Sequence, residues 1–265
     1  MGVRIVPGPA ELPPVVLLHG VTWNAALNFH QVVPALAGSR MVVLMDHRGH
    51  GEGLPGAGPY AMEDLADDVV AVLDELGISR AVLVGFSLGS LTALQVAARR
   101  PDRVAGLVLT AGCLAMAPGR VLRAALWIMT WLLSALARVG AGHMIAPRYF
   151  GLNRRAPSAE FARAWPWIRR QLEANDPRFL APAVRAALGH DLRPQCALIA
   201  RTPTQVVVHE RDALIPAALQ WRMARELGAD VVSIDADHEA PLSHPELYRD
   251  AVVAAVAALG ATDAA

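Results

Sequence analysis

The strongest chemical signal in the sequence is a serine flanked by glycines at residues 85–89, which read Gly-Phe-Ser-Leu-Gly. An apolar run at 81–84 predicts a strand directly before this motif, and residues 88–99 predict a helix directly after it. A strand-to-helix turn this sharp forces its central residue into a strained backbone conformation, and the two glycines give the crowded turn room. The motif therefore predicts that Ser87 presents its hydroxyl above a sheet as a nucleophile, at the positive end of a helix.

A serine hydroxyl is a weak nucleophile until a base removes its proton, so this interpretation requires a histidine and an acid that orients it. Of the nine histidines, His238 is preferred because it lies in a loop directly after the last predicted strand, 231–234. His244 is the alternative, but its position at the entry to the final predicted helix directs it away from the strand ends.

The acid is predicted to be Asp212, which follows the strand predicted at 205–208 and precedes a helix. Ligands gather at the carboxyl ends of strands in open α/β sheets, so the loops that carry Asp212 and His238 are expected to meet there. The nearby carboxylates that remain as alternatives are Glu210, Asp235 and Asp237.

Two backbone amides are predicted to bind the oxyanion that forms during acyl transfer, those of Leu88 and Val21. Leu88 directly follows the predicted nucleophile. Gly20 follows the strand predicted at 15–18 and permits the close backbone approach that would direct the Val21 amide into the site.

Composition excludes several classes of function. The chain has 265 residues, 54% hydrophobic and 18% charged, which suits one large folded domain or a core domain with an insertion. Its 24 basic residues balance 24 acidic ones, so nucleic acid is not expected as a partner. Because every basic residue is arginine, a Walker-type phosphate loop, a pyridoxal Schiff base and a lysine nucleophile are excluded. Cys113 and Cys196 lack the spacing of a zinc site, and no metal is predicted.

Short apolar runs alternate with longer helical patterns, which predicts an α/β fold with a mostly parallel central sheet covered by helices on both faces. The strands are predicted at 15–18, 41–45, 81–84, 104–109, 205–208 and 231–234, and the helices of the core at 63–76, 88–99, 215–227 and 245–259.

Residues 114–200 interrupt this alternation and predict a helical insertion, because they are rich in tryptophan and arginine and contain no convincing strand. Within them, residues 124–137 carry no charge, yet this run is shorter than the about 20 apolar residues that a membrane span needs. Contact of this helix with a membrane surface, through Trp127 and Trp131, remains an alternative to burial. The first residues of the chain lack the apolar stretch of a signal peptide, and a cytoplasmic location is expected.

Four motifs, in this order, resemble those of the α/β-hydrolase fold family. His19-Gly20 resembles the family's oxyanion loop, residues 46–51 its Asp-x-Arg-Gly-His-Gly turn, residues 85–89 its nucleophile elbow, and His238 with Pro245 its histidine loop. The sequence departs from the family at Asp237, where glycine is usual, and at Ser243, where an acidic residue is common. Neither departure removes the triad.

The resemblance implies a core formed by residues 1–113 and 201–265 and a helical cap, or lid, at 114–200. It also implies that His47 and His50 are structural residues of a turn and do not bind a metal. Few residues precede the strand at 15–18, so the first one or two strands of the family's sheet are expected to be shortened or missing.

Serine as nucleophile implies acyl transfer to water, because the family's epoxide hydrolases and haloalkane dehalogenases use aspartate there and its dienelactone hydrolases use cysteine. We expect Ser87, His238 and Asp212 to cleave a carboxylic ester or thioester of a hydrophobic small molecule through an acyl-enzyme, without a cofactor or metal. The side chains predicted to contact the substrate are Trp23, Phe86, Trp127 and Trp131. The alternatives on the same triad are a carbon-carbon bond hydrolase, an acyltransferase, a perhydrolase, or a ligand receptor.

Overall fold

A seven-stranded sheet forms the centre of the protein, in a computed structural model that describes residues 2–55, 61–116, 120–138 and 159–262. The strands lie in the order β1-β3-β2-β4-β5-β6-β7, and β1 alone runs antiparallel to its neighbour. Their bounds are β1 Val3–Val6, β2 Val15–Leu18, β3 Val42–Met45, β4 Ala81–Phe86, β5 Val104–Thr110, β6 Thr204–His209 and β7 Asp230–Ile234. The predicted α/β fold and its six parallel strands are confirmed.

The helices alternate with these strands. They are α1 Ala25–Asn28, α2 Val32–Leu36, α3 Met62–Glu75, α4 Leu88–Arg99, α5 Arg120–Arg138, α6 Ala159–Glu173, α7 Pro177–Gly189, α8 Cys196–Ile199, α9 Ala217–Leu227, α10 Ala240–Ser243 and α11 Pro245–Thr262. The strand β1, which precedes β2 in the chain, has four residues.

Strand side chains alternate between two hydrophobic cores, as the period of two requires. Val16, Leu18 and Leu83 enter the core beneath α3, α4 and α9. Leu17 and Val84 enter the opposite core, beneath α1, α2 and α11. Because both faces are covered, the strands β2 and β4 are buried along their whole length, which explains their unbroken apolar sequences.

The helices α5, α6 and α7, which we call the inserted helices, lie in the chain between β5 and β6, inside the insertion predicted at 114–200. Residues 117–119 and 139–158 of that prediction lie outside the described residues. The helices α5 and α7 pack against each other. In contrast, α6 packs on the core through Ile168 and Leu172, which contact Trp23 and Leu27.

The apolar run predicted at 124–137 is part of α5, and its large side chains are unusually exposed. Ile128 is 62% exposed, Leu132 61% and Trp131 54%. Within the part of the chain that the structure describes, no helix has both the length and the apolar character to cross a bilayer.

Candidate active site

Ser87 lies at the turn between β4 and α4, in a backbone conformation that non-glycine residues rarely adopt. Its φ is 52° and its ψ is −114°. A Cβ atom on Gly85 would overlap the backbone of residues 89 and 90, and one on Gly89 would overlap the carbonyl of Leu18. The strained turn that the glycine spacing predicts is therefore present, and it places Ser87 directly before the N-terminus of a 12-residue helix.

The structure brings together the three side chains predicted to form the relay. The Ser87 Oγ atom lies 3.0 Å from His238 Nε2. On the other side of the ring, His238 Nδ1 lies 2.8 Å from Asp212 Oδ2. Because the carboxylate only accepts, Nδ1 carries the ring proton, and Nε2 is left to accept the serine proton. Each residue follows a different strand, β4, β6 or β7, at the carboxyl end of the sheet.

Asp212 is buried and held by four donors. Its Oδ1 atom accepts hydrogen bonds from the backbone amides of Leu214 and Ile215, each at 2.8 Å. Its Oδ2 atom accepts one from Gln220 Nε2 at 3.1 Å in addition to the one from His238. These donors stabilise the charged carboxylate and leave it a single orientation.

Gln220 is a functional candidate that the sequence analysis missed. It is fully buried on α9, where its Nε2 also donates to the Ile215 carbonyl at 2.8 Å and its Oε1 accepts from the His209 amide at 3.0 Å. The sequence feature that could have indicated Gln220 is an amide side chain on the buried face of an amphipathic helix, eight residues after the predicted acid. The contact itself depends on how α9 turns back towards the sheet.

The alternative residues for base and acid lie outside the relay. The ring of His244 contacts Ser243 Oγ at 2.9 Å and Arg211 at 3.5 Å. Glu210 accepts from Trp221 Nε1 at 3.2 Å. The remaining two carboxylates have other partners, since Asp235 pairs with Arg211 at 2.8 Å and Asp237 accepts from Ser243 Oγ at 2.8 Å.

The loop at residues 19–23, which we call the oxyanion loop, lies against the serine. A Cβ atom on Gly20 would stand 2.8 Å from the Phe86 ring and 3.3 Å from Ser87 Cβ, so the absence of a side chain permits this approach. Among the described residues, neither the Val21 amide nor the Leu88 amide donates a hydrogen bond to another protein group. Both are backbone donors close to the serine that have no acceptor among the residues that the structure describes.

The ring of Phe86 packs against the imidazole of His238. Its ring is 1% exposed, and its centroid lies 5.2 Å from that of His238, 5.5 Å from Trp23 and 6.0 Å from Tyr248. The Phe86 and His238 rings are tilted by 44° to each other, so Phe86 packs against the imidazole without stacking on it. The interpretation of Phe86 as a residue that binds substrate stays a prediction.

Trp127 and Trp131 line a cavity of about 550 Å³ together with Met62, Gln95, Arg185 and His190. The guanidinium carbon of Arg185 lies 4.7 Å from the centre of the Trp131 ring, a cation-π contact. Ser87, Asp212 and His238 are not among the residues that line this cavity. The predicted substrate contacts at Trp127 and Trp131 stay predictions, and the third predicted tryptophan, Trp23, contacts Phe86.

The three histidines of the first two motifs form a buried group. His47 donates its backbone amide to His19 Nε2 at 2.9 Å, and the ring centroids of His19 and His50 are 5.2 Å apart. Burial lowers the pKa of His19 and His47, and lowers that of His50 to about 3. These rings are therefore neutral at pH 7. Among the described residues, no group of three or more His, Cys, Asp or Glu side chains could hold a metal ion.

Comparison with known proteins identifies the family to which the fold belongs. A sequence profile described as "alpha/beta hydrolase fold" matches residues 13–245. The enol-lactonase from Burkholderia xenovorans LB400 is 27% identical and superposes with a TM-score of 0.81, covering 97% of this chain and 96% of that one. A thermophilic esterase from Thermogutta terrifontis is 25% identical, with a TM-score of 0.81 over 98% of this chain and 93% of that one.

A curated relative, the pimeloyl-[acyl-carrier protein] methyl ester esterase of Aeromonas hydrophila, is 41% identical over 100 residues, which is 37% of each chain. The chain covers less than half of the length of the curated relatives that it matches. The profile match extends over most of the sequence, and the protein belongs to the α/β-hydrolase fold family.

Proposed function

We propose that the protein is a serine hydrolase that cleaves a carboxylic ester or thioester of a hydrophobic small molecule through an acyl-enzyme. The observation that carries this proposal is the relay from Ser87 through His238 to Asp212, with heavy-atom separations of 3.0 and 2.8 Å. Both separations lie within the hydrogen-bond range that proton transfer requires.

In the first step, Ser87 Oγ attacks the carbonyl carbon and its proton passes to His238 Nε2. The carbonyl oxygen becomes an oxyanion, which the amides of Val21 and Leu88 bind, and the N-terminus of α4 adds a favourable dipole. Collapse of the tetrahedral intermediate breaks the bond to the alcohol or thiol, which leaves with the proton from Nε2. The acyl group remains on Oγ.

In the second step, water attacks the acyl carbon while His238 Nε2 accepts one of its protons. The ester bond to Ser87 breaks, Oγ regains the proton, and the carboxylic acid leaves. Asp212 stays ionised throughout and holds Nδ1–H in place, so that the positive charge formed on the ring is compensated.

Apolar side chains around the oxyanion donors support a hydrophobic substrate. Val21 and Leu88 belong to a cluster that also contains Met62, Phe179 and Ile215. The lactonase and the two esterases named above act on ester-type bonds by their names, which supports the same class of bond here. We further propose that residues 114–200 form a cap over this site, because the inserted helices follow β5 in the chain and α6 packs on Trp23.

The test combines active-site labelling with steady-state kinetics. The wild-type protein is expected to react with a fluorophosphonate probe and to turn over p-nitrophenyl esters continuously, and the preferred chain length from acetate to laurate measures the acyl pocket. Ser87→Ala is expected to abolish labelling, and His238→Ala to lower kcat by about 10³-fold or more. His244→Ala is the matched control and should retain activity within about twofold, since its ring lies outside the relay.

Undiminished labelling of Ser87→Ala would contradict the proposal, as would equal losses in the two histidine variants. A ligand receptor would show one turnover or none and a ligand-dependent shift in melting temperature.

A further inference from the structure

Besides Ser87 in the turn before α4, the oxyanion loop also contains a residue with a strained backbone conformation. Thr22 has a φ of 68°, in the left-handed region that β-branched side chains rarely occupy. Such a conformation costs about 1–3 kcal/mol and persists only where surrounding contacts impose it. The contacts that impose it here are therefore informative about function.

Hydrogen bonds hold the oxyanion loop before and after the Val21 amide. On one side, the Gly20 amide donates to Asn28 Oδ1 at 3.0 Å. On the other side, Asn175 Nδ2 donates to the Thr22 carbonyl at 2.5 Å. A longer bond of 3.4 Å from the Trp23 amide to the Gly20 carbonyl closes the turn. The direction of the Val21 N–H group is thus set by one side chain from the core and by one from the segment between β5 and β6.

Asn175 is itself held in one orientation. It follows α6 and is 6% exposed, and its Oδ1 atom accepts from the Gly51 amide at 2.9 Å. The next residue, Asp176, donates its backbone amide to the Gly49 carbonyl at 3.0 Å. One asparagine therefore joins the oxyanion loop to the turn at residues 46–51, at the junction between α6 and α7.

We infer that Asn175 is a positioning residue for the oxyanion hole, through which docking of the inserted helices directs the Val21 amide towards the reacting carbonyl. This inference rests on the proposed function. Without the Asn175 donor, the Thr22 carbonyl loses this hydrogen bond, and the longer bond of 3.4 Å from the Trp23 amide to the Gly20 carbonyl is left to hold the turn against relaxation of the strained φ. The Val21 amide then loses its fixed direction, while Ser87, His238 and Asp212 keep their contacts.

The experiment compares Asn175→Asp with a control that carries the same change of charge. Asn175→Asp keeps an acceptor for Gly51 and replaces the donor to Thr22 with a carboxylate oxygen. Gln171→Glu also adds one negative charge on α6, and it keeps the acceptor that Asn24 Nδ2 contacts at 2.9 Å. Asn175→Ala removes both hydrogen bonds without adding charge. Melting temperatures establish which variants are folded at the assay temperature.

A change in the oxyanion hole is expected to lower kcat and leave KM nearly unchanged. Because loss of a direct oxyanion donor costs 10²- to 10³-fold, a misdirected donor in Asn175→Asp and Asn175→Ala is expected to lower kcat by roughly tenfold. KM should stay within about twofold, and Gln171→Glu should match the wild type in both constants.

An alkylboronic acid provides a second readout, because it adds to the serine hydroxyl as a tetrahedral boronate that occupies the oxyanion hole. Its inhibition constant is expected to rise about tenfold in both Asn175 variants, whereas that of the carboxylic acid product should not change. A kcat equal to that of the wild type in folded Asn175→Asp, or equal losses in binding of boronate and product, would overturn the inference. Absence of turnover and of Ser87 labelling in the wild type would instead refute the proposed function.

Discussion

Replacement of Asp212 with asparagine tests the relay at the residue that orients the imidazole. In the wild-type protein each carboxylate oxygen accepts two hydrogen bonds, Oδ1 from the amides of Leu214 and Ile215 and Oδ2 from His238 and Gln220. An amide group of the same shape has one oxygen and one NH₂ group, so it can satisfy only one of these two pairs.

The geometry decides which orientation the asparagine adopts. If its NH₂ group faced the two backbone amides, two buried donors would lose their acceptor, at about 1–3 kcal/mol each. If its NH₂ group faces Gln220 and His238, only the Gln220 donor is unpaired. The imidazole can move its proton from Nδ1 to Nε2, and Nδ1 then accepts a hydrogen bond from the NH₂ group. Gln220 cannot reverse its amide, since Ile215 and His209 fix both ends. The second orientation is therefore favoured by about 1–3 kcal/mol.

In that orientation Nε2 carries a proton and faces Ser87, so it cannot act as the base. A wrong tautomer of this kind lowers kcat by about 10⁴-fold, or about 5 kcal/mol in activation free energy. The single unpaired donor should lower the free energy of unfolding by about 1–3 kcal/mol, so the variant stays folded.

The assay measures kcat and KM with a p-nitrophenyl ester, alongside urea unfolding. Glu210→Gln is the matched control, because this neighbouring carboxylate binds Trp221 and Ser233 and should retain activity within about twofold. Retention of more than about a tenth of the activity by Asp212→Asn would refute the tautomer argument. A larger loss of kcat in Glu210→Gln than in Asp212→Asn would show that Glu210, and not Asp212, orients the imidazole.

Two further predictions concern stability. Gly89→Ala should abolish soluble expression or lower the free energy of unfolding by several kcal/mol, because its Cβ atom would overlap the Leu18 carbonyl. Gly189→Ala is the control, because its Cβ atom would meet no atom within 4 Å, and thermal melts should show a neutral or stabilising effect. Burial lowers the pKa of His209 to about 4, so the folded protein keeps this ring neutral while the unfolded chain takes up a proton below about pH 6.5. The contribution of His209 to the free energy of unfolding, present above pH 6.5, should therefore fall by about 3 kcal/mol as the pH drops to 4. Urea unfolding of His209→Phe should show a weaker pH dependence than the wild type, and an identical dependence would contradict the prediction.

The relay could be predicted because its chemistry imposes short-range patterns. Ser87 requires the glycines that flank it, and Asp212 and His238 must follow strands that end at the same edge of the sheet. The alternation of strands and helices that defines the fold also follows from patterns between neighbouring residues. These features depend on a few consecutive residues and on the period of apolar side chains.

What the sequence could not reveal are contacts between distant segments. Asn175 and Thr22 are 153 residues apart in the chain, and no local pattern marks either as a partner of the other. The ring contacts of Phe86 with Trp23, His238 and Tyr248 likewise join distant segments, and contact of Phe86 with a substrate stays a prediction. Trp127 and Trp131 line a cavity with Arg185 because α5 packs against α7, and their contact with a substrate stays a prediction.

The two halves of the proposed catalytic machinery are supported by different parts of the chain. Gln220, on a core helix, fixes the acid that orients the base, while Asn175, beside the inserted helices, fixes the strained loop that supplies an oxyanion donor. The two supports share no hydrogen-bond partner, so proton transfer and charge stabilisation can be altered separately. A change in how the inserted helices dock would then act on the oxyanion hole first and leave the serine, histidine and aspartate in contact. Under the proposed function, this arrangement links the part of the chain that would cover a substrate to the group that stabilises its transition state.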